Sequence, residues 1–483
     1  MTGSLATAPT PVVAAPEPGT TRSWLGDGRL LLLCLVVAAA STSVPAVLGF
    51  GPWVWLVWGR ELLRGELATD GTVAWKPLPV LVNALLAPFG AAAPALWTVL
   101  ARTGGLFGLV LVVRLAVRFA GPGRQAGPVA GVVAGAAFLL TPDGQARWVR
   151  HLLQANIEPA TVALCLWAVH RHLDGHRGQA LLLGCAAGLT RPEVWPMFLL
   201  YAGWVLWRNP RSWGLVLPAV AAVPLLWFGG DLLISGNALG GATAARVLLG
   251  TGTQRLLIAL DAVAATVIGP VWLAAAVGVV WTAHRRRGAP VLLAGAALTW
   301  LVEVVVMSGV FGYAALGRFL APVAAVLCVL AGVAVAWTVS APRRALLRTG
   351  LALALLAAAV PAALPRMAWL PAQFEAAAHR AAFEADLDRM LAELGRDRLV
   401  SCGLPLGLDS APPAVEFRPA LAWKLDVPLA ASAHSVVNGT GVSFTQRGSP
   451  IERNLAAQPL ADARPVQRTE RWVVYAQRCP TLG

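Results

Sequence analysis

Charge is scarce in this sequence: Asp, Glu, Lys and Arg together make up 13% of its 483 residues. Soluble domains carry about a quarter charged residues. A chain with half that density cannot cover a globular surface of this size, so lipid must be the solvent for much of it. Acidic residues are the rarer sign, 24 against 38 basic ones, which leaves a net charge of +14. Lysine is almost absent, with only Lys76 and Lys424; a bias so strong toward arginine reflects codon composition and says little about mechanism. A nucleotide-binding glycine loop is also missing. Gly250-Thr-Gly252 lacks the strand–loop–helix setting that a phosphate loop requires. The apolar segments show no two-residue alternation, which excludes a membrane β-barrel. No long-period repeat points to the inverted halves of a transporter.

What is abundant is apolar. Hydrophobic residues make up 57% of the chain, and the mean hydropathy is +0.66. Runs such as Arg29–Phe50 and Phe319–Ser340 reach the ~20 residues that cross a bilayer as helix. Apolar segments near 29–50, 94–118, 127–142, 156–170, 179–190, 194–207, 213–230, 258–282, 289–309, 318–339 and 346–364 predict about eleven spans. The pair 179–190 and 194–207 meets at Arg191-Pro192-Glu193 and reads as broken or tilted helices. The first 28 residues, rich in Pro, Ala and Thr, read as a disordered cytoplasmic tail. The membrane domain then covers 29–364, and a small soluble α+β domain covers 365–483. In that last part Phe374–Leu394 has the spacing of an amphipathic helix, and Arg398–Cys402, Val442–Thr445 and Arg471–Gln477 read as strands.

The basic excess could suggest nucleic acid, but the arginines lie in short clusters between apolar segments, as the positive-inside rule produces. Arg114, Arg118 and Arg124 form one cluster. His170-Arg171-His172 with His176-Arg177, Arg208 with Arg211, His284-Arg285-Arg286-Arg287, and Arg343-Arg344 with Arg348 form the others. All five share one side if the N-terminus is cytoplasmic, and the C-terminal domain is then outside a bacterial plasma membrane. His170, His172 and His176 read as part of a basic loop, and no metal is expected. Cys34, Cys165, Cys185 and Cys328 read as small buried hydrophobes. Cys402 and Cys479 suit a disulfide if their domain is outside; two unrelated thiols fit the spacing equally well.

Four polar clusters fall on the predicted outer face. The first runs from Trp53-Val-Trp55-Leu-Val-Trp58-Gly-Arg60-Glu61 to Trp75-Lys76-Pro77. It suits an interfacial helix, and equally a tryptophan belt with snorkelling arginines. The second holds Arg147, Arg150, His151 and Glu158, with positive charge against the sidedness trend. The third is Arg191-Pro192-Glu193. The fourth runs from Gly312-Tyr313 to Arg318-Phe319-Leu320-Ala321-Pro322. Glu303, inside a span, should face the bundle and pair with an arginine. For each cluster a structural ion pair between helices is the competing reading.

In this order the motifs resemble the GT-C superfamily of polytopic membrane glycosyltransferases, in an actinobacterial-type form. The likeness covers roughly residues 29–345. It rests on the Trp-Gly-Arg-Glu-Leu helix, Lys76-Pro77, Glu158 opening a span, Arg191-Pro192-Glu193, and Gly312-Tyr313 through Pro322. The resemblance implies a polyprenyl-phosphate sugar as donor and a cell-envelope glycan or protein as acceptor, with membrane lipid as the surrounding partner. It implies one catalytic carboxylate as base. The family sets its acid at the outer end of the first span, where this chain reads Gly49-Phe50-Gly51-Pro52-Trp53. Glu158, Glu61 and Asp70 are therefore the catalytic candidates. Lys76, Arg147, Arg150, Arg191, Glu193, Tyr313 and Arg318 are the substrate-binding candidates. Two alternatives stay open: a non-catalytic protein that binds a lipid-linked sugar, and a lipid or glycan transporter.

Overall fold

A computed structural model describes residues 22–44, 47–69, 75–121, 125–142, 147–246, 251–340, 345–403, 406–410, 412–433, 440–457 and 462–482. Asp70, Arg124, Arg343 and Arg344 lie outside them.

The first helix, α1 (Arg22–Ala40), begins ahead of the expected start and stops well short of Phe50. Three hydroxyls end it. Ser41, Thr42 and Ser43 donate back to the carbonyls of Ala38, Ala39 and Ala40 at 2.7, 2.7 and 3.0 Å. Such local bonds compete with helix propagation, and a 3-10 turn follows. Helix α2 (Phe50–Arg64) is the tryptophan-rich segment, and Gly65 caps it in the left-handed conformation at φ 70°. It is buried without a break from Pro52 to Glu61, so it is not a helix lying open on the membrane surface. Helix α3 (Pro77–Leu86) crosses it so closely that a Cβ on Gly59 would sit 2.5 Å from the Asn83 carbonyl carbon. Only glycine permits that approach. The chain bends at Gly90 (φ 53°) and continues as α4 (Ala93–Ala120).

The bundle continues through α5 (Ala126–Leu140), the short α6 (Trp148–Leu153), α7 (Glu158–Leu173), α8 (Arg177–Gly188) and α9 (Trp195–Arg208). Next come α10 (Trp213–Pro224), α11 (Gly230–Ser235), α12 (Gly240–Ala244), α13 (Gly252–Ala264) and α14 (Gly269–His284). Helices α15 (Gly288–Gly309), α16 (Ala321–Ser340) and α17 (Ala345–Ala368) complete it. The expected single span over 258–282 is in fact α13 and α14, bent by 78°. Ile268 is extended there and Gly269-Pro270 starts a new helix, as proline does at a first turn. Among the described residues five helical stretches are long and apolar enough to cross a membrane, six with the bent pair. The protein is a multi-pass membrane protein.

Helix α16 sits at the centre, buried from Ala321 to Ala334 and packed by α4, α5, α7, α14 and α15. Small residues set these contacts. A Cβ on Gly332 would meet the Ala130 carbonyl at 2.5 Å, and one on Gly278 the Leu330 carbonyl at 2.5 Å. Lipid offers no hydrophobic force between helices, so such close backbone packing must hold them.

The two ends of the bundle differ. At one end Asp27, fully buried, ties α1 to Arg114 of α4 and to Trp167 and Arg171 of α7. Arg118 pairs with Asp174 at 2.6 Å, Arg287 donates to the Phe119 carbonyl, and Arg177 and Arg208 stack on Trp204. Four of the five basic clusters therefore gather at one end. The other end carries the C-terminal domain, made of α18 (Leu370–Leu394), α19 (Arg396–Ser401), α20 (Arg418–Lys424), α21 (Pro450–Ala457) and one mixed sheet. Its strands are β1 (Leu406–Leu408), β2 (Ser432–Ala433), β3 (Gly441–Gln446), β4 (Ala463–Arg468) and β5 (Trp472–Gln477), in the order β2-β1-β3-β5-β4. β1 runs parallel to β2 and β3; β5 is antiparallel to β3 and β4. The run Arg398–Cys402 is helical rather than a strand. Gly395 (φ 80°) turns the chain into a new helical turn there, and a run of five residues is too short for its pattern to decide. Cys402 and Cys479 are joined as a disulfide, Cα atoms 5.0 Å apart.

The domain is fastened to α2. Arg60 donates to the carbonyls of Ala422, Trp423 and Val427 at 3.3, 3.1 and 2.7 Å, capping the end of α20 with charge of the favourable sign. Burial works to raise the Asp426 carboxyl, but Arg60, Arg64 and Arg396 around it hold it below the usual range. Gly59→Val should force α2 and α3 apart. A loss of about 1–3 kcal/mol is expected, read as earlier thermal unfolding of the detergent-solubilised protein; unchanged unfolding would contradict the tight crossing.

Candidate functional site

The site is organised by the break between α8 and α9. Proline disfavours helix in the residue before it, so Pro192 leaves Arg191 extended (φ −153°, ψ 132°) and opens a 3-10 turn, Pro192–Val194. The turn is held from both sides. Thr190 and Thr161 hydroxyls bond at 2.8 Å, and the indoles of Trp195 and Trp227 donate to the Gly188 carbonyl at 3.0 Å each. Arg191 is thereby directed into the bundle, 3% exposed. Its guanidinium grips Glu193 through two bonds, 3.2 and 2.9 Å, and donates to Glu158 at 3.2 Å. Below it lies the Phe319 ring, 3.9 Å from Cζ to centroid.

Glu158 stands in the first turn of α7, ahead of Pro159, where a carboxylate also meets the positive end of the helix dipole. Besides Arg191 it faces Arg318 Nε at 3.7 Å and His151 Nδ1 at 3.8 Å. Arg318 comes from a 3-10 turn, Gly317–Leu320, pinned by the Trp300 indole donating to the Phe319 carbonyl at 3.0 Å. Lys76 completes the group. It feels the charges of Arg191, Glu158 and Arg318, and its ammonium lies 5.2 Å above the Trp55 ring. Burial, with Arg191 beside it, pushes the Lys76 ammonium down to about 7.

Five of the sequence candidates, Lys76, Glu158, Glu193, Arg191 and Arg318, thus meet in one cluster at the end of the bundle that carries the C-terminal domain. Arg191 and Arg318 face the two carboxylates with full positive charge, Lys76 adds a third below about pH 7, and His151 adds another when protonated. The excess suits a singly charged phosphate ester. Trp55 and Phe319, the platforms under Lys76 and Arg191, were not among the candidates; the Arg318-Phe319 adjacency was the available signal. A Cβ on Gly51 would lie 3.2 Å from the Trp55 ring, a tight contact that the ring would have to shift to relieve.

The structure brings the remaining candidates elsewhere. Glu61 accepts from the Leu429 amide at 2.7 Å and so joins the domain contact; burial raises its carboxyl against the pull of the Leu429 and Ala68 amides. Arg147 stacks on Trp369, and Arg150 lines a cavity of about 230 Å³ with Gln373, Ala377 and Arg380 of α18. Tyr313 pairs its backbone with Arg246, whose guanidinium lies 5.7 Å from the ring. Asp70 falls outside the described residues. Glu303 was expected to pair with an arginine, yet it has no ion pair among the described residues. Its Oε2 is buried without a hydrogen-bond partner, and Glu193, the charge it feels, already holds Arg191.

At the opposite end Asp27, His170 and Asp174 bring their ligand atoms within 4.8 Å of one another. Arg114, Arg118 and Arg171 pair with those two carboxylates, so the group reads as a structural charge network. His172 goes its own way, to the Tyr201 hydroxyl at 3.1 Å. Arg191→Ala should leave Glu158 and Glu193 buried with a partner lost, at a cost of about 3–5 kcal/mol. Arg318→Ala, whose side chain is 42% exposed, should cost about 1 kcal/mol or less. Thermal unfolding of both variants in detergent checks the contrast, and equal losses would contradict it.

Comparison with protein families gives no match, and no curated protein matches the sequence. Solved structures do. ArnT from Cupriavidus metallidurans bound to undecaprenyl phosphate superimposes with a TM-score of 0.52 at 16% identity, over 96% of this chain and 100% of that one. The apo state of ArnT gives 0.53 at 17% identity, over 96% and 99%. The chain therefore has an ArnT-like fold, a multi-span helical membrane bundle with a C-terminal mixed sheet.

Proposed function

We propose that this protein is a GT-C-type glycosyltransferase that moves a sugar from a polyprenyl-phosphate donor to a cell-envelope acceptor. The observation that carries the reading is the cluster of Lys76, Arg191 and Arg318 around Glu158, in a fold shared with a protein solved with undecaprenyl phosphate bound. The donor phosphate takes Lys76 and Arg318 as its cations. Arg191, clamped between two carboxylates, shapes the site and keeps its charge close. Drawing Arg318 and Lys76 onto the phosphate relieves Glu158 of part of its cationic shell and restores its basicity. Glu158 then accepts the acceptor hydroxyl proton while that oxygen bonds to the anomeric carbon. The carbon–oxygen bond to phosphate breaks, and the charge gathering on the phosphate is met by the same cations.

The active face is extracytoplasmic in this reading, with the N-terminus in the cytoplasm, about eleven spans over 29–364 and the domain of 365–483 outside. The gathering of basic clusters at the far end supports it, as does the disulfide, a bond favoured in oxidising compartments. A second reading has a specific observation in its favour. With cations on every side in the resting state, Glu158 is a poor base, and a protein that only binds the lipid-linked sugar would show the same cluster.

Glu158→Gln should reduce transfer from a polyprenyl-phosphate sugar at least a hundredfold while leaving donor binding, measured by lipid titration, within severalfold. Wild type that binds donor and transfers nothing to any envelope acceptor would sink the enzymatic reading and favour the second. Lys76 gives a pH signature. Its ammonium is charged below about 7, so binding of the phosphodiester donor should weaken as pH rises from 6 to 9. Lys76→Arg, charged throughout, should flatten that profile; an unchanged profile would remove Lys76 from the phosphate.

A further inference from the structure

A second polar site lies on the other side of α2. A cavity of about 870 Å³ opens between α2, the bend at Gly90, the start of α4 and the C-terminal domain. None of its lining residues belongs to the Glu158 cluster. Helix α2 forms the wall between the two, with Trp55 under Lys76 on one face and Trp53, Arg60 and Arg64 on the other. We propose that this cavity binds the phosphate headgroup of an anionic membrane phospholipid, independently of any sugar transfer.

Three observations carry the proposal. The first is charge. Arg60, Arg64 and Arg396 converge on one carboxylate, Asp426, at 2.9, 2.8 and 3.0 Å. With Lys424 they make four lining cations against three carboxylates, Asp426, Glu384 and Asp388, so one positive charge stands in excess. The only other lining cation, Lys424, is committed to Glu384 and Asp388 at 2.9 and 2.6 Å. Arg64 and Arg396 are half exposed at 43% and 51%, so they can share a phosphate beside Asp426, which their planar forks suit.

The second observation is unmet donors. Trp53 and Arg60 line the cavity, and the Trp53 indole nitrogen and the Arg60 Nε are buried without a hydrogen-bond partner among the described residues. A small shift of either side chain toward an oxygen-rich headgroup would give these groups, costly to leave bare, an acceptor. The third is the surface beside the cavity. Its elements carry the exposed apolar side chains Leu63, Phe89, Leu96 and Leu100, so acyl chains have a track next to the cationic wall. A free anion would not need that track, and an acidic peptide would be poorly matched by it.

The test titrates short-chain phosphatidylglycerol into the full-length protein in zwitterionic detergent and reads tryptophan fluorescence. Short-chain phosphatidylcholine and inorganic phosphate serve as the comparison probes. Saturable binding of phosphatidylglycerol is expected, with phosphatidylcholine and phosphate each at least tenfold weaker. The R64Q/R396Q double variant should weaken phosphatidylglycerol at least tenfold. Ala91→Trp, which fills the cavity without touching a charge, should do the same and guards against a variant that fails to fold. Unchanged affinity in the folded variants would overturn the proposal. Equal affinity for phosphatidylglycerol and phosphatidylcholine, or for inorganic phosphate, would overturn it too. Because the readout is binding alone, a protein that transfers no sugar can still pass or fail it.

Discussion

Arg191 is a guanidinium buried where water does not reach, and the end of the bundle beneath the C-terminal domain is arranged around keeping it paired. Its charge is met by Glu193 two residues on and by Glu158 from α7, while Phe319 from a third segment covers its face. An isolated charge in such a place would cost several kcal/mol by rough estimate. The contacts that satisfy it therefore fix the relative positions of α7, the Pro192 turn and the start of α16. Trp195, Trp227 and Trp300 hold those segments through indole bonds to backbone carbonyls. Arg318 then stands at the edge of that frame, its side chain 42% exposed against 4% for Arg191.

The C-terminal domain depends on a second buried arginine in the same way. Arg60 belongs to α2, yet its bonds go to the end of α20 and to Asp426. Glu61, next to it, takes the Leu429 amide. Two adjacent charged residues of opposite sign thus sew α2 to the C-terminal domain, and Arg147 on Trp369 adds a further stitch beside α6. The cluster at Glu158 and the cavity at Asp426 lie on opposite faces of α2. A shift of the domain would be felt at both.

At the far end the same chemistry serves structure alone. Asp27, His170, Arg171, Asp174, Arg114 and Arg118 form a closed network that joins α1, α4 and α7. Basic clusters at this end and the Glu158–Arg191 cluster at the other make the two ends of the bundle unlike.

The sequence alone determined the solvent, the helical character of the bundle and most of the cluster. Charge density and apolar runs dictated lipid burial, because those quantities average over many residues. Lys76, Glu158, Arg191, Glu193 and Arg318 were legible because charges at helix breaks in an apolar chain must have partners. Which partners they find was not legible. Pairing depends on direction as much as position. Glu61 turned to Leu429, Arg147 and Arg150 to α18, Tyr313 to Arg246, and Glu303 met no arginine among the described residues. The early end of α1 at Ser41–Ser43 and the bend before Gly269-Pro270 were written in the chain, but only packing decided that the helices stop there. The burial of α2 is the clearest case. Its tryptophans and arginines fit a membrane surface by composition, and only the domain arriving from more than 350 residues later makes it an interior wall, because contacts so distant in sequence leave no local pattern.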